Sequence, residues 1–286
     1  MNRREFVAAS LASAALTAIS RADEKKPKLK KAVKYGMIGI KGTPEDKLAL
    51  VKKLGFQGVE VDSPSNVNKD ELAAARDKTG VAIHGVIDSV HWRDTLSHPK
   101  EDIRAKGLTA LLGALDDAKF YRADTVLLVP GVVNKDVTYE QCWERSTAEV
   151  KKAIPHAEKA GVKIAIEVVW NNFLTKPEQL IEYVDQFKTP YVGAYFDCSN
   201  MIKYGVPPAE WIRKLGKRML KFDFKAYSKT KEWKVEIGEG DEDWPAILKA
   251  LGEIGYDGWA TSEVKSGGED WLRDVASRMD SCLGLK

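Results

Sequence analysis

Short apolar runs alternate with longer amphipathic runs along most of this chain. Eight apolar runs have strand length, and the segments between them have helical spacing. The predicted strands lie near residues 35–40, 58–61, 81–87, 125–129, 163–168, 191–196, 219–224 and 259–262. The clearest predicted helices are 105–119, 147–160, 177–187 and 244–254.

The predicted helix ends carry the residues that helix ends prefer. Gly55, Gly161 and Gly255 each follow a last helical turn, where the left-handed backbone suits glycine. Pro44 and Pro177 stand at first helical positions, each next to an acidic residue. These signals support the alternation of strand and helix.

Eight strand–helix pairs over about 250 residues predict an α/β fold, a single (β/α)8 TIM barrel. An open doubly wound sheet is the alternative, and it normally carries a glycine-rich phosphate loop after its first strand. The glycines of residues 36–42 lie within the predicted first strand and just beyond it, so they do not form such a loop. We therefore expect the barrel to occupy residues 33–286.

The first 22 residues have the order of an export signal. Arg3 and Arg4 precede Phe6 and an Ala-rich apolar run, and 20–22 reads as a small-x-small cleavage site. The paired arginines predict a twin-arginine-type signal and a periplasmic protein, with a Lys-rich lead-in at 23–32. A tethered anchor helix is the alternative for this segment.

Composition narrows the class of protein. The 286 residues are 44% hydrophobic and 30% charged, which is typical of a globular chain. The formal net charge is only +3, so we expect no nucleic-acid partner. Three scattered cysteines do not suggest a disulfide scaffold or a cysteine zinc site. No other apolar run approaches 18 residues, so no stable membrane span is expected after signal removal.

Four acidic residues fall at the ends of four consecutive predicted strands. They are Glu167, Asp197, Asp223 and Glu263. The carboxyl ends of the strands form the active face of a TIM barrel, so these side chains are expected to converge. Like charges packed together must be protonated or balanced by a cation, and an all-oxygen set favours Mg²⁺ or Mn²⁺. A single such acid would more often serve in a local salt bridge or helix cap.

At these residues the sequence resembles the xylose isomerase-like TIM-barrel superfamily. The resemblance extends to its sugar-phosphate isomerase/epimerase group, which includes proteins like L-ribulose-5-phosphate 3-epimerase, tagatose 3-epimerase and hydroxypyruvate isomerase. It covers nearly all of residues 33–284. The fragments that carry it are Ile166-Glu167 with Asn172-Phe173, then 196–200, 237–244, and 255–259 leading into Glu263.

The resemblance implies roles for the four acids. Glu167 and Glu263 would be both metal ligands and the acid/base pair, and Asp197 would be a ligand. In the family the third ligand is the His of a His-x-Lys-Asp segment, and here Asp223 takes its place while Lys225 is kept. An aspartate can still bind a hard cation, so the resemblance implies one Mn²⁺ or Mg²⁺ ion. The alternative is that the metal and the activity have been lost.

Further residues are candidates for substrate binding. His91 and Arg93 follow the third strand, and either a site role or a surface loop fits them equally well. Glu60 ends the second strand, where it could orient substrate. Trp170 and Asn172 follow Glu167 and could line the pocket. Lys225 would touch substrate unless it pairs with Asp223.

These observations favour an exported, metal-dependent sugar isomerase or epimerase acting on a small carbohydrate. Such enzymes move a proton next to a carbonyl through an enediolate, with two glutamates as acid and base. One alternative is a metal-dependent lyase or hydratase acting on a keto-sugar or glycoside. Another is a non-catalytic carbohydrate-binding barrel without metal. Homo-oligomers are common in the resembling family, so self-association is a further expectation.

Overall fold

The computed structural model describes residues 27–284, so the predicted signal at 1–22 lies outside the described residues. Eight parallel strands close into one barrel, in which each pairs with the next and β8 pairs with β1. The strands are β1 (Lys30–Lys34), β2 (Gly58–Ser63), β3 (Ala82–Asp88), β4 (Thr125–Leu128), β5 (Lys163–Glu167), β6 (Val192–Asp197), β7 (Met219–Phe224) and β8 (Trp259–Ser262). The predicted (β/α)8 barrel is confirmed.

Helices follow the strands and cover the outside of the barrel. Within residues 27–284 they are α1 (Pro44–Lys53), α2 (Lys69–Thr79), α3 (Glu101–Tyr121), α4 (Tyr139–Ala160), α5 (Pro177–Asp185), α6 (Cys198–Ile202), α7 (Pro208–Leu215), α8 (Trp244–Glu253) and α9 (Glu269–Leu283). None of these helices is both long enough and apolar enough to cross a membrane. The predicted glycine ends are confirmed, because Gly55, Gly161 and Gly255 have φ values of 84°, 73° and 69°.

The first strand is not where the sequence pattern placed it. The apolar run at 35–40 was the predicted strand, but the strand is Lys30–Lys34 and a 3-10 turn follows at Tyr35–Met37. The predicted Lys-rich lead-in at 23–32 therefore overlaps the barrel from residue 30 onward.

Buried lysines explain why this strand was missed. Lys31 and Lys34 are only 6% exposed, although lysine is rarely buried unless it is paired. Lys31 forms an ion pair with Asp280 of α9, on the outside of the barrel. Lys34 points to the opposite side, into the barrel. Because β1 has a buried lysine on each face, it lacks the apolar pattern from which a strand is predicted.

A polar network fills the barrel interior beneath the carboxyl edge. The Lys221 ammonium lies 2.7 Å from the Asp124 carboxylate and donates to the His84 carbonyl at 3.0 Å. The His84 ring stacks on Trp259 with centroids 4.5 Å apart, and its Nε2 lies 3.2 Å from the Thr261 hydroxyl. The charge of Lys221 is therefore paired within this lower layer.

Asp88 is a buried acid at the end of β3, and it makes the stability of the fold depend on pH. It is 1% exposed, and burial raises its pKa to about 7. The folded state then binds a proton that the unfolded state releases near pH 4, so stability falls as pH rises between these two values. We expect Asp88→Asn to remove this loss. The free energy of unfolding of Asp88→Asn, relative to that of the wild type, should rise by about 2 kcal/mol from about pH 5 to pH 8.

Thermal or urea unfolding at the two pH values measures this difference. Asn can still accept the hydrogen bond that the Val90 amide donates to Asp88 Oδ1 at 3.3 Å, so the fold should be kept. The exposed Asp136→Asn is the matched control for replacing an aspartate by asparagine, and it is measured in parallel. An Asp88→Asn gain that is equal at both pH values would contradict the prediction.

Candidate active site

The four acids predicted from the strand ends meet at the carboxyl edge of the barrel. Glu167 and Asp197 are the last residues of β5 and β6, Asp223 lies in β7, and Glu263 follows β8. Asp197 pairs with Asp223 in the sheet register. One carboxylate oxygen from each of the four lies within 4.8 Å of the others. The first three are buried, and the side chain of Glu263 is 32% exposed.

Two lysine side chains reach into this four-acid cluster. Lys34 Nζ lies 2.9 Å from Asp223 Oδ2 and 3.3 Å from Glu263 Oε2. Lys225 Nζ lies 2.8 Å from Asp197 Oδ2 and 2.8 Å from Glu263 Oε2. The alternative in which Lys225 pairs with Asp223 is not what the structure has, because Lys34 lies against Asp223 and Lys225 against Asp197 and Glu263. Glu263 sits between both ammonium groups.

The pKa values of the two glutamates in the cluster are shifted in opposite directions. Burial would raise the pKa of Glu263, but the Lys34 and Lys225 ammonium groups outweigh it and hold that pKa well below its ordinary value. Burial raises the pKa of Glu167 well above its ordinary value, and the Glu263 and Asp223 carboxylates add to this shift despite Lys34. Burial also raises the pKa of Asp223, to about 8. In the absence of a cation the cluster therefore retains protons at neutral pH.

A tyrosine hydroxyl links the cluster to a fifth buried acid. Tyr195 Oη lies 2.8 Å from Asp223 Oδ1 and 3.0 Å from Glu60 Oε2. A hydroxyl donates one proton, so with both bonds made one of the two carboxyls donates to the tyrosine oxygen. Burial raises the pKa of Glu60, which agrees with a proton shared along the hydrogen bonds from Glu60 through Tyr195 to Asp223. Gly85 of β3 makes room for it, since a Cβ there would clash with Glu60 Oε1.

The end of β6 fixes Asp197 through its backbone surroundings. Asp197 Oδ1 accepts hydrogen bonds from the amides of Ser199 and Asn200 at 2.8 and 2.9 Å, at the start of α6. The Asn200 side chain donates to the carbonyl of Val168 at 3.2 Å. One oxygen of Asp197 is thus used for structure, and Oδ2 remains for the cluster.

A cavity of about 440 Å³ opens above the cluster. Its floor is charged and its upper part is aromatic. The residues that line it are Lys34, Gly36, Met37, Glu60, Asp62, Ile87, Ser89, His91, Trp92, Leu127, Glu167, Val169, Trp170, Asn200, Lys225, Trp233 and Glu263. Four predicted substrate-binding residues therefore line it: Glu60, His91, Trp170 and Lys225.

His91 is held neutral at the cavity wall. It is 7% exposed, and its Nδ1 accepts a hydrogen bond from the Val129 amide at 3.2 Å. Burial and the nearby Lys34 charge lower the pKa of His91 to about 3. With Nδ1 accepting, the proton of the neutral ring is on Nε2, so His91 can present an N–H donor.

Two predicted substrate-binding residues lie outside this cavity. Arg93 is exposed, and its guanidinium forms an ion pair with Asp94 at 2.7 Å. Asn172 is exposed with a left-handed backbone (φ 57°), and the neighbouring Asn171 is the buried one. Both residues follow a strand end, but the turn after the strand directs them away from the barrel axis.

The sequence prediction missed Lys34, Tyr195, Asn200, Trp92 and Trp233. Lys34 ends β1, so the rule applied to the other strands would have identified it if β1 had been placed correctly. Tyr195 lies two residues before Asp197 in the same strand, and residues two apart share a face. Asn200, Trp92 and Trp233 lie in segments after strands, and periodicity does not indicate how such segments fold back over a site.

The donor set fits a divalent metal ion. Asp197 Oδ2 and Asp223 Oδ2 are buried, and the ammonium groups of Lys225 and Lys34 approach them at 2.8 and 2.9 Å, in the direction from which a cation would bind. When all four carboxyl groups are ionised, the two ammonium charges leave two negative charges, which one divalent cation would balance. Carboxylate oxygens at this mutual spacing are typical ligands of hard cations.

Comparisons with known proteins agree with this architecture. The chain is 23% identical over 228 residues to an L-ribulose-5-phosphate 3-epimerase of Salmonella paratyphi A, covering 74% of this chain and 79% of that protein. A D-psicose 3-epimerase from Clostridium cellulolyticum H10, solved with D-tagatose, superposes with a TM-score of 0.74 at 22% identity, covering 89% of this chain and 98% of that one.

The IolI protein, solved with a bound zinc atom, superposes with a TM-score of 0.73 at 18% identity, covering 90% of this chain and 99% of that one. Structural similarity at such low identity shows a shared fold. The model of the xylose isomerase-like TIM barrel family matches residues 48–282, which is most of the sequence. The chain therefore belongs to the xylose isomerase-like TIM barrel family, as the strand-end motifs predict.

Proposed function

We propose that this protein is an exported, divalent-metal-dependent isomerase or epimerase that acts on an unphosphorylated keto-sugar. The observation that carries the proposal is the convergence of Glu167, Asp197, Asp223 and Glu263 within 4.8 Å at the floor of one cavity. Two of these are glutamates that can exchange protons with a substrate above them. The similarity to sugar 3-epimerases supports the same reaction class.

The reaction would move a proton on the carbon next to the carbonyl. Glu167 and Glu263 stand at the ends of different strands, so one carboxylate can take the proton as base while the other returns it as acid. β5 and β8 are three strands apart in the barrel, so their carboxylates approach a substrate from different sides. Returning the proton to the opposite face gives an epimer, and returning it to the neighbouring carbon gives an isomer.

The four carboxylates would hold the metal, which supplies positive charge to stabilise the carbonyl and hydroxyl oxygens as anionic charge develops. The residues of the chain do the positioning. His91 can donate to a sugar oxygen, Lys225 fixes the Glu263 carboxylate at 2.8 Å, and Trp170 forms part of the wall.

An unphosphorylated sugar suits this cavity better than a sugar phosphate. Among the residues described along its lining, the cationic side chains are Lys34 and Lys225, and both are in contact with carboxylates. The Arg93 guanidinium is paired with Asp94 elsewhere. A phosphate group would normally require an unpaired lysine or an arginine fork. Sugar phosphates are also uncommon outside the cytoplasm.

Export is proposed from the sequence at 1–22 alone. The paired Arg3 and Arg4 and the small residues at 20–22 support a twin-arginine-type signal. That route carries folded proteins, which suits a protein that takes up its metal in the cytoplasm. Mass spectrometry of the periplasmic fraction should find a chain that begins after residue 22. A full-length chain confined to the cytoplasm would contradict export.

Metal content and proton exchange test the catalytic proposal. The protein is produced with Mn²⁺ and Mg²⁺, dialysed and analysed for metal, alongside Asp197→Ala and Glu263→Ala. We expect about one ion per chain in the wild type and loss in both variants. In D₂O, D-fructose, D-psicose, D-tagatose or D-sorbose should then acquire deuterium next to the carbonyl, as followed by NMR.

The alternatives predict different results. A lyase or hydratase would change the mass of a keto-sugar or glycoside by the elements of water, or would release an aglycone, instead of forming an epimer. A carbohydrate-binding barrel would bind sugar without metal and without exchange. A wild type that binds no Mn²⁺ on titration and exchanges no proton would contradict the proposed function.

A further inference from the structure

The aromatic side chains at the top of the cavity are more exposed than a packed core would leave them. Trp92 is 52% exposed and Trp233 is 42% exposed. Only Phe120, at 43%, joins them as an exposed large apolar side chain in residues 27–284. Both tryptophans line the cavity above the four acids, and Phe120 does not. An exposed aromatic patch beside a polar site is typical of a ligand-binding surface.

These tryptophans, with Trp170, form what we call the aromatic rim: Trp92, Trp170 and Trp233. The Trp170 side of the rim is held in place by contacts with its surroundings. Trp170 Nε1 donates to the Asn200 carbonyl at 2.8 Å, and the Lys203 ammonium lies 4.0 Å from the centroid of its ring. Trp233 packs 5.0 Å from Trp170 and 4.8 Å from Tyr227 between ring centroids, yet keeps its exposed surface.

The rim is continuous with the charged floor. Lys225, which contacts Asp197 and Glu263, lies 5.2 Å from the centroid of the Trp233 ring. A molecule seated on the acids therefore reaches Trp233 without leaving the cavity. The cavity of about 440 Å³ has room for about fifteen waters at roughly 30 Å³ each, which is more than one hexose fills.

The two levels of the cavity suit two different parts of a substrate. The floor offers carboxylates, ammonium groups and the His91 N–H to the carbonyl and hydroxyl groups of a reacting sugar. The rim offers flat aromatic surfaces, which pack on the apolar C–H face of a pyranose ring while leaving its hydroxyls to water. A second pyranose matches the three uncharged rings of the rim, and the Lys203 ammonium beside Trp170 is a hydrogen-bond donor that suits its hydroxyls.

We propose that the aromatic rim binds a second sugar unit, so that the substrate is a keto-disaccharide or another glycosylated keto-sugar whose carbonyl remains free. This rests on the proposed function, because it assumes that the reacting keto-sugar occupies the acidic floor. The rim then selects the substrate by its second ring, and a single sugar is bound by the floor alone.

Binding and exchange measured in parallel test the proposal. The probes are D-fructose and two disaccharides that retain its carbonyl, lactulose and isomaltulose. Calorimetry on the Mn²⁺-treated protein should show at least one disaccharide binding about tenfold more tightly than fructose, since each aromatic contact contributes a few-fold. Trp233→Ala should lose this advantage, which is measured as the ratio of disaccharide affinity to fructose affinity within the same variant.

Phe120→Ala is the matched control, because it removes an equally exposed aromatic side chain outside the cavity, and it should keep the advantage. Trp92→Ala tests the other side of the rim, and thermal unfolding checks that each variant folds. The proposal is overturned if neither disaccharide binds better than fructose, or if the advantage survives in both Trp233→Ala and Trp92→Ala.

The two proposals fail in different ways. Deuterium exchange into fructose without a disaccharide advantage would overturn the second-sugar site and support the catalytic function. Trp233-dependent disaccharide binding without exchange into any of the three sugars would overturn the catalytic function and support the second-sugar site.

Discussion

Glu263→Gln and Glu167→Gln are each expected to lower the rate of substrate deuterium exchange by about 10²–10⁴-fold, the usual contribution of a positioned acid or base. Glutamine has nearly the shape of glutamate and keeps a carbonyl oxygen that can face a cation. It can neither accept nor return a proton at neutral pH. The loss should therefore appear in kcat more than in sugar affinity, and calorimetry with the exchange substrate separates the two.

Glu242→Gln is the matched control for this pair. Glu242 is a buried acid, 7% exposed, that accepts the Tyr227 amide at 2.8 Å and lies outside both the four-acid cluster and the cavity lining. The rate of substrate deuterium exchange by Glu242→Gln should stay within a few-fold of that of the wild type. If both Glu263→Gln and Glu167→Gln exchange protons as fast as Glu242→Gln, the acid/base roles are wrong.

Metal analysis of the same variants separates proton transfer from metal binding. Glu263→Gln with about one ion per chain and no exchange would locate the defect in proton transfer. The same variant without metal would leave its proton-transfer role to be judged from exchange at saturating Mn²⁺. Asp197→Asn removes a carboxylate that is not an assigned acid or base, so its exchange should recover as Mn²⁺ is raised.

The spacing of apolar and charged residues was enough to predict the barrel and the convergence of the four acids. Parallel strands buried on both faces read as apolar runs, so Glu167 and Asp223 stood out as charges within such runs. The barrel topology then brings all strand ends to one edge, whatever the loops do. Four converging acids follow from those two facts, and the structure places them within 4.8 Å.

Spacing could not predict what balances those acids. Lys34 was hidden because β1 has charged residues at positions that other strands fill with apolar ones. Arg93 and Asn172 were candidates for substrate binding because of their positions after strands, and they lie outside the cavity. The backbone after a strand end turns by local hydrogen bonds, such as that of the Phe173 amide to Asn171 Oδ1 at 3.1 Å, and periodicity carries no record of these.

Lys34→Met is expected to have the second large effect, on metal affinity and on stability in opposite directions. The ammonium lies 2.9 Å from Asp223 and 3.3 Å from Glu263, so it occupies the same carboxylates that a divalent cation would use. Like charges about 4 Å apart repel by about 4 kcal/mol at an effective dielectric constant of 20. Removing the ammonium should therefore lower the Kd for Mn²⁺ by more than about tenfold.

Without metal, the same change leaves buried carboxylates with one fewer counter-ion. Breaking a buried ion pair costs about 3–5 kcal/mol when the remaining charge is kept. Protonation reduces that cost, because burial already raises the pKa of Asp223 to about 8. We expect the metal-free variant to unfold at a lower temperature than the wild type, and added Mn²⁺ to raise its melting temperature more than it raises that of the wild type.

Lys31→Met separates this effect from the loss of any buried lysine. Lys31 lies in the same strand and is equally buried, but it faces outward and pairs with Asp280. It should lose stability without any gain in Mn²⁺ affinity. If Lys34→Met binds Mn²⁺ no better than Lys31→Met, the ammonium does not compete for the four-acid cluster. If it binds better as expected, Lys34 is a built-in counter-ion that stabilises the metal-free barrel and weakens the hold of the site on its metal.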